Sequence, residues 1–69
     1  MTSNNRVDDR LLLLPEVAEL MRTSEASLRW LRNQGRAPYL FRMNRRIVAY
    51  RSEVVAYIEE QRSLDRASA

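Results

Sequence analysis

The sequence predicts a small α+β domain that is mostly helical, and three observations lead to that prediction. The chain has 69 residues, 45% of them hydrophobic and 30% charged, which is typical of one folded domain. Two segments with helical spacing of apolar residues precede Gly35 and Pro38, residue types that favour helix ends. Two short runs of aromatic and β-branched residues follow, and a third helical segment comes after them.

The first helix is predicted at about residues 15–21. Pro15 suits its first turn, where a backbone N–H has no partner inside the helix. Val17, Leu20 and Met21 follow at the three-and-four spacing of one apolar face. The segment therefore predicts a short amphipathic helix.

The second helix is predicted from Ser24 to about Gln34, after a short turn at residues 22–23. The Ser24 hydroxyl can accept a free backbone N–H of the first turn, as an N-cap does. Gly35 supplies the left-handed residue that commonly ends a helix. Together these residues predict two short helices joined by a tight turn.

A β-hairpin is predicted next, with strands at residues 39–42 and 46–50. Both runs are rich in aromatic and β-branched residues, and Asn44 between them tolerates positive φ. Ser52 is then the predicted N-cap of a last helix. The order of helix, turn, helix, hairpin and helix is that of a winged helix-turn-helix domain.

The domain itself is expected to span residues 11–62. Residues 1–10 are predicted to be a flexible amino-terminal arm and residues 63–69 a flexible carboxy-terminal tail, because both segments are polar and lack periodicity. The spacing of apolar residues assigns the following side chains to the core: Leu14, Val17, Leu20, Leu28, Leu31, Ile47, Val54 and Ile58.

Charge is strongly segregated along the chain. Residues 22–51 carry eight arginines against Glu25 alone, a net charge of +7, whereas residues 1–21 and 52–69 carry −2 each. Such a cluster favours a polyanion as the partner. Every basic residue is arginine, whose planar fork binds phosphate or a guanine edge. A GC-rich genome would also explain the choice of arginine, but it would not explain the clustering.

The composition disfavours several other functions. Without Cys or His, the chain has no disulfide, no thiolate or imidazole metal ligand and no usual general base. We therefore expect no enzymatic activity, no cofactor, no metal and no small-molecule ligand. The sustained apolar run from Leu11 to Leu14 is far shorter than the roughly 20 residues of a membrane span, so we expect no membrane association and a cytoplasmic location.

Three segments carry a resemblance to a known family. They read Leu-Pro-Glu-Val-Ala-Glu-Leu-Met at 14–21, Ser-Glu-Ala-Ser-Leu-Arg-Trp-Leu-Arg-Asn-Gln-Gly-Arg-Ala-Pro at 24–38, and Arg-Arg-Ile-Val-Ala-Tyr-Arg-Ser-Glu-Val-Val-Ala-Tyr-Ile at 45–58. Over about residues 12–62 the chain resembles the phage excisionases, also called recombination directionality factors. These belong to a broader MerR-like set of winged-helix proteins, which includes small prophage transcriptional regulators.

The resemblance implies an accessory role in DNA recombination. Such proteins bind repeated sites in the double-stranded DNA of an attachment region, bend that DNA, and help a phage integrase assemble the excision complex. Neighbouring copies are expected to associate cooperatively on DNA inside the bacterial host.

A helical wheel of the second helix defines candidate base contacts. Arg29 can fork onto a guanine, Asn33 can pair with an adenine edge, and Ala26 can touch a thymine methyl group. Trp30 is expected to be partly buried, because a lone tryptophan in a small domain more often packs than binds. The predicted recognition residues are Ser24, Glu25, Ala26, Arg29, Trp30, Arg32 and Asn33.

The hairpin and the segments around it supply further cationic candidates. Arg42, Arg45 and Arg46 lie at or beside the predicted tip, where a wing can reach a phosphate or enter a narrow minor groove. The arginines assigned to phosphates, or alternatively to pairs with a local glutamate, are Arg22, Arg32, Arg36 and Arg51.

Two other functions remain open for the same fold. A transcriptional regulator would bind one operator without needing an integrase. A protein-interaction module such as an anti-repressor would dock through exposed Trp30, Tyr39 and Phe41, although the segregated charge argues against it.

Overall fold

The structure, a computed structural model, describes residues 9–68 and combines three helices with one small sheet. The elements are β1 (Leu11–Leu13), α1 (Leu14–Met21), α2 (Glu25–Asn33), β2 (Phe41–Met43), β3 (Arg46–Tyr50) and α3 (Arg51–Ser68). The sheet is antiparallel in the order β1-β3-β2. The predicted α+β, mostly helical winged helix-turn-helix fold is thus confirmed. Residues 1–8 of the predicted arm lie outside the described residues.

Strand β1 is the element that the sequence does not predict. Leu12 lies opposite Ala49 of β3 and is buried, whereas Leu11 and Leu13 are each 38% exposed. This alternation is that of a half-buried strand, but four consecutive leucines hide a period of two. Because β1 pairs with one edge of β3 and β2 with the other, β3 is the central strand.

The start of α3 is fixed by residues assigned to the flexible arm. The backbone N–H of Arg51 donates to the carbonyl of Arg10 at 2.8 Å. The carboxylate of Asp9 accepts hydrogen bonds from the backbone N–H of Ser52, at 3.0 Å, and from its hydroxyl. The prediction of Ser52 as N-cap is therefore wrong, because its hydroxyl donates to Asp9 and the helix begins at Arg51. These contacts attach Asp9 and Arg10 to the first turn of α3.

Residues close in sequence determine where helix α1 begins and ends. Pro15 lies in its first turn, and the Glu16 carboxylate accepts a hydrogen bond from the N–H of Leu13 at 2.8 Å. At the other end Arg22 adopts the left-handed conformation, with φ of 59°. The chain therefore turns sharply into α2, and the predicted turn at residues 22–23 is confirmed.

Helix α2 has the predicted caps. The Ser24 hydroxyl accepts a hydrogen bond from the N–H of Ser27 at 3.1 Å. The helix ends at Asn33, and Gly35 follows with φ of 70°. Leu28 is fully buried on the inner face of α2, which packs against α1.

The β2–β3 hairpin is shorter than predicted. Met43 pairs with Arg46, so the loop is the two residues Asn44 and Arg45, whose φ values are 50° and 69°. Positive φ at both positions is the pattern of a type I′ turn. Tyr39 and Leu40 were expected in the first strand but precede it, and both are buried.

The core differs in part from its prediction. Leu14, Val17, Leu28 and Val54 are buried as expected. Four other predicted members pack at the margin of the core and are only half-buried: Leu20, Leu31, Ile47 and Ile58. The interior also contains side chains that were not predicted: Leu12, Ala18, Ala37, Tyr39, Leu40, Val48 and Ala49.

Helix α3 is longer than its packing requires. It follows β3 directly, since Tyr50 is the last residue of the strand and Arg51 the first of the helix. Val54 is buried, whereas residues 59–67 are exposed. The sequence predicted a tail from residue 63, but the helix continues to Ser68 because no glycine or proline interrupts this segment. Within the described part of the chain, no helix is sufficiently long and apolar to span a membrane.

Candidate nucleic-acid interface

The outer face of α2 is polar and open to solvent. With Leu28 buried against the core, Ala26, Arg29, Trp30 and Asn33 are exposed. These are the positions that the helical wheel places outward. Glu25 and Arg32, at the flanks of this face, are half-buried.

Arginines from α2 and from the β2–β3 hairpin line one groove. Arg29 comes from α2, Arg42 from β2, Arg45 from the hairpin turn and Arg46 from β3. The groove has a volume of about 490 Å³, and its apolar side is formed by Leu13, Leu14, Pro15 and Ile47. We call this the arginine groove. It brings together the predicted recognition helix and the predicted wing.

One carboxylate shares the arginine groove. Glu25 is the single acidic side chain among the described residues that line it, and its Oε1 lies 3.5 Å from Nη2 of Arg29. Glu25 is also favourable in the first turn of α2, where the helix dipole is positive. An exposed ion pair of this spacing contributes only about 0.5 kcal/mol, so a contact to a polyanion can replace it at small cost.

The remaining charge of the groove is uncompensated within the domain. Over residues 9–68, Arg42, Arg45 and Arg46 form no ion pair, and all three side chains are exposed. Three cations at one edge and a fourth on the facing helix create a positive field that is stronger than any single arginine provides. The groove can therefore attract a polyanion and hold it between helix and hairpin.

The family to which the chain belongs follows from the comparison with known domains. A family model described as a helix-turn-helix domain matches residues 11–62. The chain belongs to the helix-turn-helix domain family. This is a family of DNA-binding domains that includes excisionase-like proteins, so DNA is the partner that the family indicates for the domain. No curated protein and no solved structure matches the chain.

In this helix-turn-helix domain, α2 occupies the place of the recognition helix. It is the second helix of the α1–turn–α2 unit, and the N-terminal residues of such a helix contact base edges in the major groove. Ser24 is committed to its cap, because its hydroxyl accepts from the N–H of Ser27 and lies 3.0 Å from the Ser27 hydroxyl. Arg29 and Asn33 are more open, and their roles as base contacts stay predictions.

The arginines predicted to contact phosphates do not join the arginine groove. Arg51 lines a different groove, beside Arg10, Glu16 and Glu19. Arg22 and Arg36 are exposed at the ends of α1 and α2, and neither lines the arginine groove. Arg32 is half-buried in the last turn of α2, where the negative end of the helix dipole stabilises a cation. Phosphate contacts by these four residues stay predictions.

The aromatic side chains of the helix-turn-helix domain do not form the predicted protein-docking surface. Trp30 is 54% exposed, which is more open than the partial burial expected for it. Tyr39 is only 3% exposed and packs against Tyr57, while Phe41 is half-buried against Tyr50. Trp30, Tyr39 and Phe41 therefore do not share an exposed face.

Sequence reasoning missed the apolar side of the arginine groove. Leu13 and Pro15 line it because β1 runs into α1 without an intervening loop. The sequence signal for this side is the position of Leu13 and Leu14 directly before Pro15. Among the described residues, no group of three or more acidic, His or Cys side chains is suited to hold a metal ion.

Proposed function

We propose that this helix-turn-helix domain acts as a phage excisionase: it binds attachment-site DNA, bends it and directs integrase-mediated prophage excision. The observation that supports DNA binding most directly is the convergence of Arg29 with Arg42, Arg45 and Arg46 on one groove. The excisionase role is supported by the resemblance over residues 12–62 and by membership in a family that includes excisionase-like proteins. We further propose that the domain catalyses no reaction.

The proposed binding mode uses both elements of the groove at once. An α-helix fits the major groove of B-DNA, which is about 12 Å wide, so α2 enters it with Arg29 directed at a guanine edge. The hairpin then lies over the neighbouring backbone, where Arg42, Arg45 and Arg46 neutralise phosphates or enter the minor groove. The Glu25–Arg29 pair opens as Arg29 reaches its base.

Bending follows from holding DNA at two places. Smooth bending of a site of 20–30 base pairs costs on the order of 1–6 kcal/mol, which must be repaid by contacts that the bend permits. The hairpin can supply such contacts, because its three arginines lie across the arginine groove from α2. A bend towards the protein would bring more phosphates to these side chains.

The decisive experiment is a gel-shift titration on attachment-region DNA and on a random duplex of equal length, at two salt concentrations. We expect a ladder of cooperatively filled complexes on the attachment DNA. Addition of the protein to an excision reaction with the phage integrase should then stimulate excision. A single complex on a promoter fragment, without an effect on excision, would instead favour a transcriptional regulator.

The wing can be tested against a control of equal charge change. Arg42, Arg45 and Arg46 are replaced together by alanine. The control replaces Arg10, Arg62 and Arg66 together by alanine, and none of these three lines the arginine groove. If each wing arginine contacts one phosphate, the slope of log affinity against log salt decreases by about 3 in the triple variant. In the control variant, this slope should decrease far less. Equal losses in both variants would remove the wing from the binding mode.

A further inference from the structure

A second groove lies on α3, and its chemistry is opposite to that of the arginine groove. Pro38, Tyr39 and one face of α3 line it, with a volume of about 270 Å³. The residues contributed by α3 are Glu53, Ala56, Tyr57 and Glu60. No arginine lines this groove, and it shares no lining residue with the arginine groove. Phosphate would be repelled from it.

The α3 residues form a continuous strip. Glu53, Ala56, Tyr57 and Glu60 follow the spacing that places side chains on one face of a helix. Leu64 continues the same spacing one turn beyond the groove and is 56% exposed. Carboxylates thus alternate with apolar surface along the helix. We call Glu53, Ala56, Tyr57, Glu60 and Leu64 the acidic strip.

We propose that the acidic strip binds a basic segment of a partner protein while the arginine groove binds DNA. Charge complementarity argues for this partner, because two carboxylates flank the apolar floor formed by Tyr57 and Pro38. The stems of lysine or arginine can lie along such a floor with the charged heads towards the carboxylates. An apolar residue of the partner would cover Leu64. This surface goes beyond DNA binding, which does not use it.

The spacing of the two carboxylates sets the spacing of the partner's cations. Glu53 and Glu60 are seven positions apart on α3, which corresponds to about 10 Å at 1.5 Å per residue. In a polyproline II segment, three residues make one turn and rise about 9 Å, so the side chains at i and i+3 lie on one face. The strip therefore matches a polyproline II segment with cations at positions i and i+3 and small or apolar residues between them.

The probe is the peptide Gly-Arg-Pro-Leu-Arg-Gly, titrated at low salt into the full chain labelled with ¹⁵N and followed by NMR. We expect saturable shifts of the amides around Tyr39, Ala56, Tyr57 and Glu60. The double variant Glu53→Gln/Glu60→Gln should weaken binding by about fivefold, since each lost charge contact contributes about 0.5 kcal/mol. The single variant Glu60→Gln should lose about half of that free energy.

The control removes the same charge elsewhere. Glu19→Gln/Asp65→Asn changes two exposed carboxylates that do not line the α3 groove, and it should leave peptide binding unchanged. Equal weakening in both double variants, or shifts spread over all acidic residues, would overturn the proposal. Shifts at the strip that depend on protein concentration without peptide would assign it to a second copy and also overturn it. DNA affinity of Glu53→Gln/Glu60→Gln, measured by gel shift, should not fall.

Discussion

Asp9 and Ser52 are 43 residues apart in sequence, yet the Asp9 carboxylate accepts two hydrogen bonds from Ser52 at the start of α3. A carboxylate at this place accepts a hydrogen bond from an N–H that has no partner inside the helix. Its negative charge also interacts favourably with the positive end of the helix dipole. The contact joins the beginning of the chain to its last helix. It also lies away from the arginine groove, so stability and DNA binding can be tested separately.

Asp9→Ala should destabilise the domain by about 1 kcal/mol, the usual cost of losing a side-chain cap. The loss should appear in urea unfolding followed by circular dichroism. Arg10→Ala is the matched control, because its contact to Arg51 uses the backbone carbonyl and survives the change. A stability for Asp9→Ala equal to that of the control would show that the cap contributes nothing.

Arg45→Gly should stabilise the fold and weaken DNA binding. Arg45 holds φ of 69° at the second turn position, where glycine avoids a strain of roughly 1 kcal/mol. The same change removes a cation from the arginine groove. The midpoint of thermal unfolding should therefore rise, while the DNA affinity measured by gel shift should fall. Asn44→Gly keeps the arginine, so its DNA affinity should match that of the unchanged protein.

Arg29→Ala should change which sites are bound more than how tightly DNA is bound. A fork onto guanine contributes about 1–3 kcal/mol of discrimination against the wrong base, whereas a phosphate contact discriminates little. The measurement compares affinities for the binding site and for single base-pair variants of it. If affinity falls uniformly over all variants, Arg29 contacts the backbone instead of a base.

Tyr39→Phe should raise stability slightly or leave it unchanged. The Tyr39 hydroxyl is buried and has no hydrogen-bond partner in the described part of the chain, so its removal relieves a desolvation cost of about 1 kcal/mol. Urea unfolding at neutral pH measures the difference. A loss of more than about 1 kcal/mol would mean that the hydroxyl makes a stabilising contact.

Burial of Tyr39 also makes the stability of the domain depend on pH in the alkaline range. Burial, with a smaller contribution from Tyr57, raises the pKa of Tyr39 above its ordinary value of 10.0. Above pH 10 the unfolded chain releases this proton while the folded chain retains it, so the free energy of unfolding falls as pH rises towards the folded-state pKa. Below pH 10 the contribution is fully present. Tyr39→Phe should show a shallower decline of the free energy of unfolding above pH 10.

Local chemistry predicts the helical part of this fold well. Pro15, Ser24 and Gly35 act within one turn of their own positions, and each lies where the sequence places it. Two features depend on distant partners instead. Leu12 belongs to a strand only because β3 pairs with it, and Asp9 is a cap only because the chain returns to it at α3. Neither relationship leaves a periodic signal.

The candidate site divides in the same way. Clustering of arginine in the sequence indicated a polyanion partner, and the hairpin prediction placed Arg42, Arg45 and Arg46 together. Packing of α2 beside the hairpin decides which other arginines line the arginine groove. The spacing of residues in the sequence does not reveal that packing. Arg29 lies in the groove, whereas Arg51, only five positions after Arg46, lines another surface because α3 turns away there.

The direct junction of Tyr50 and Arg51 makes the hairpin and α3 mechanically one piece. A strand that continues into a helix without a loop has no hinge residue at which the two could swing independently. If DNA tilts the proposed wing, β3 transmits that tilt directly to α3, and the far end of α3 moves furthest. The angle at which DNA is held would set the direction in which α3 projects from the complex.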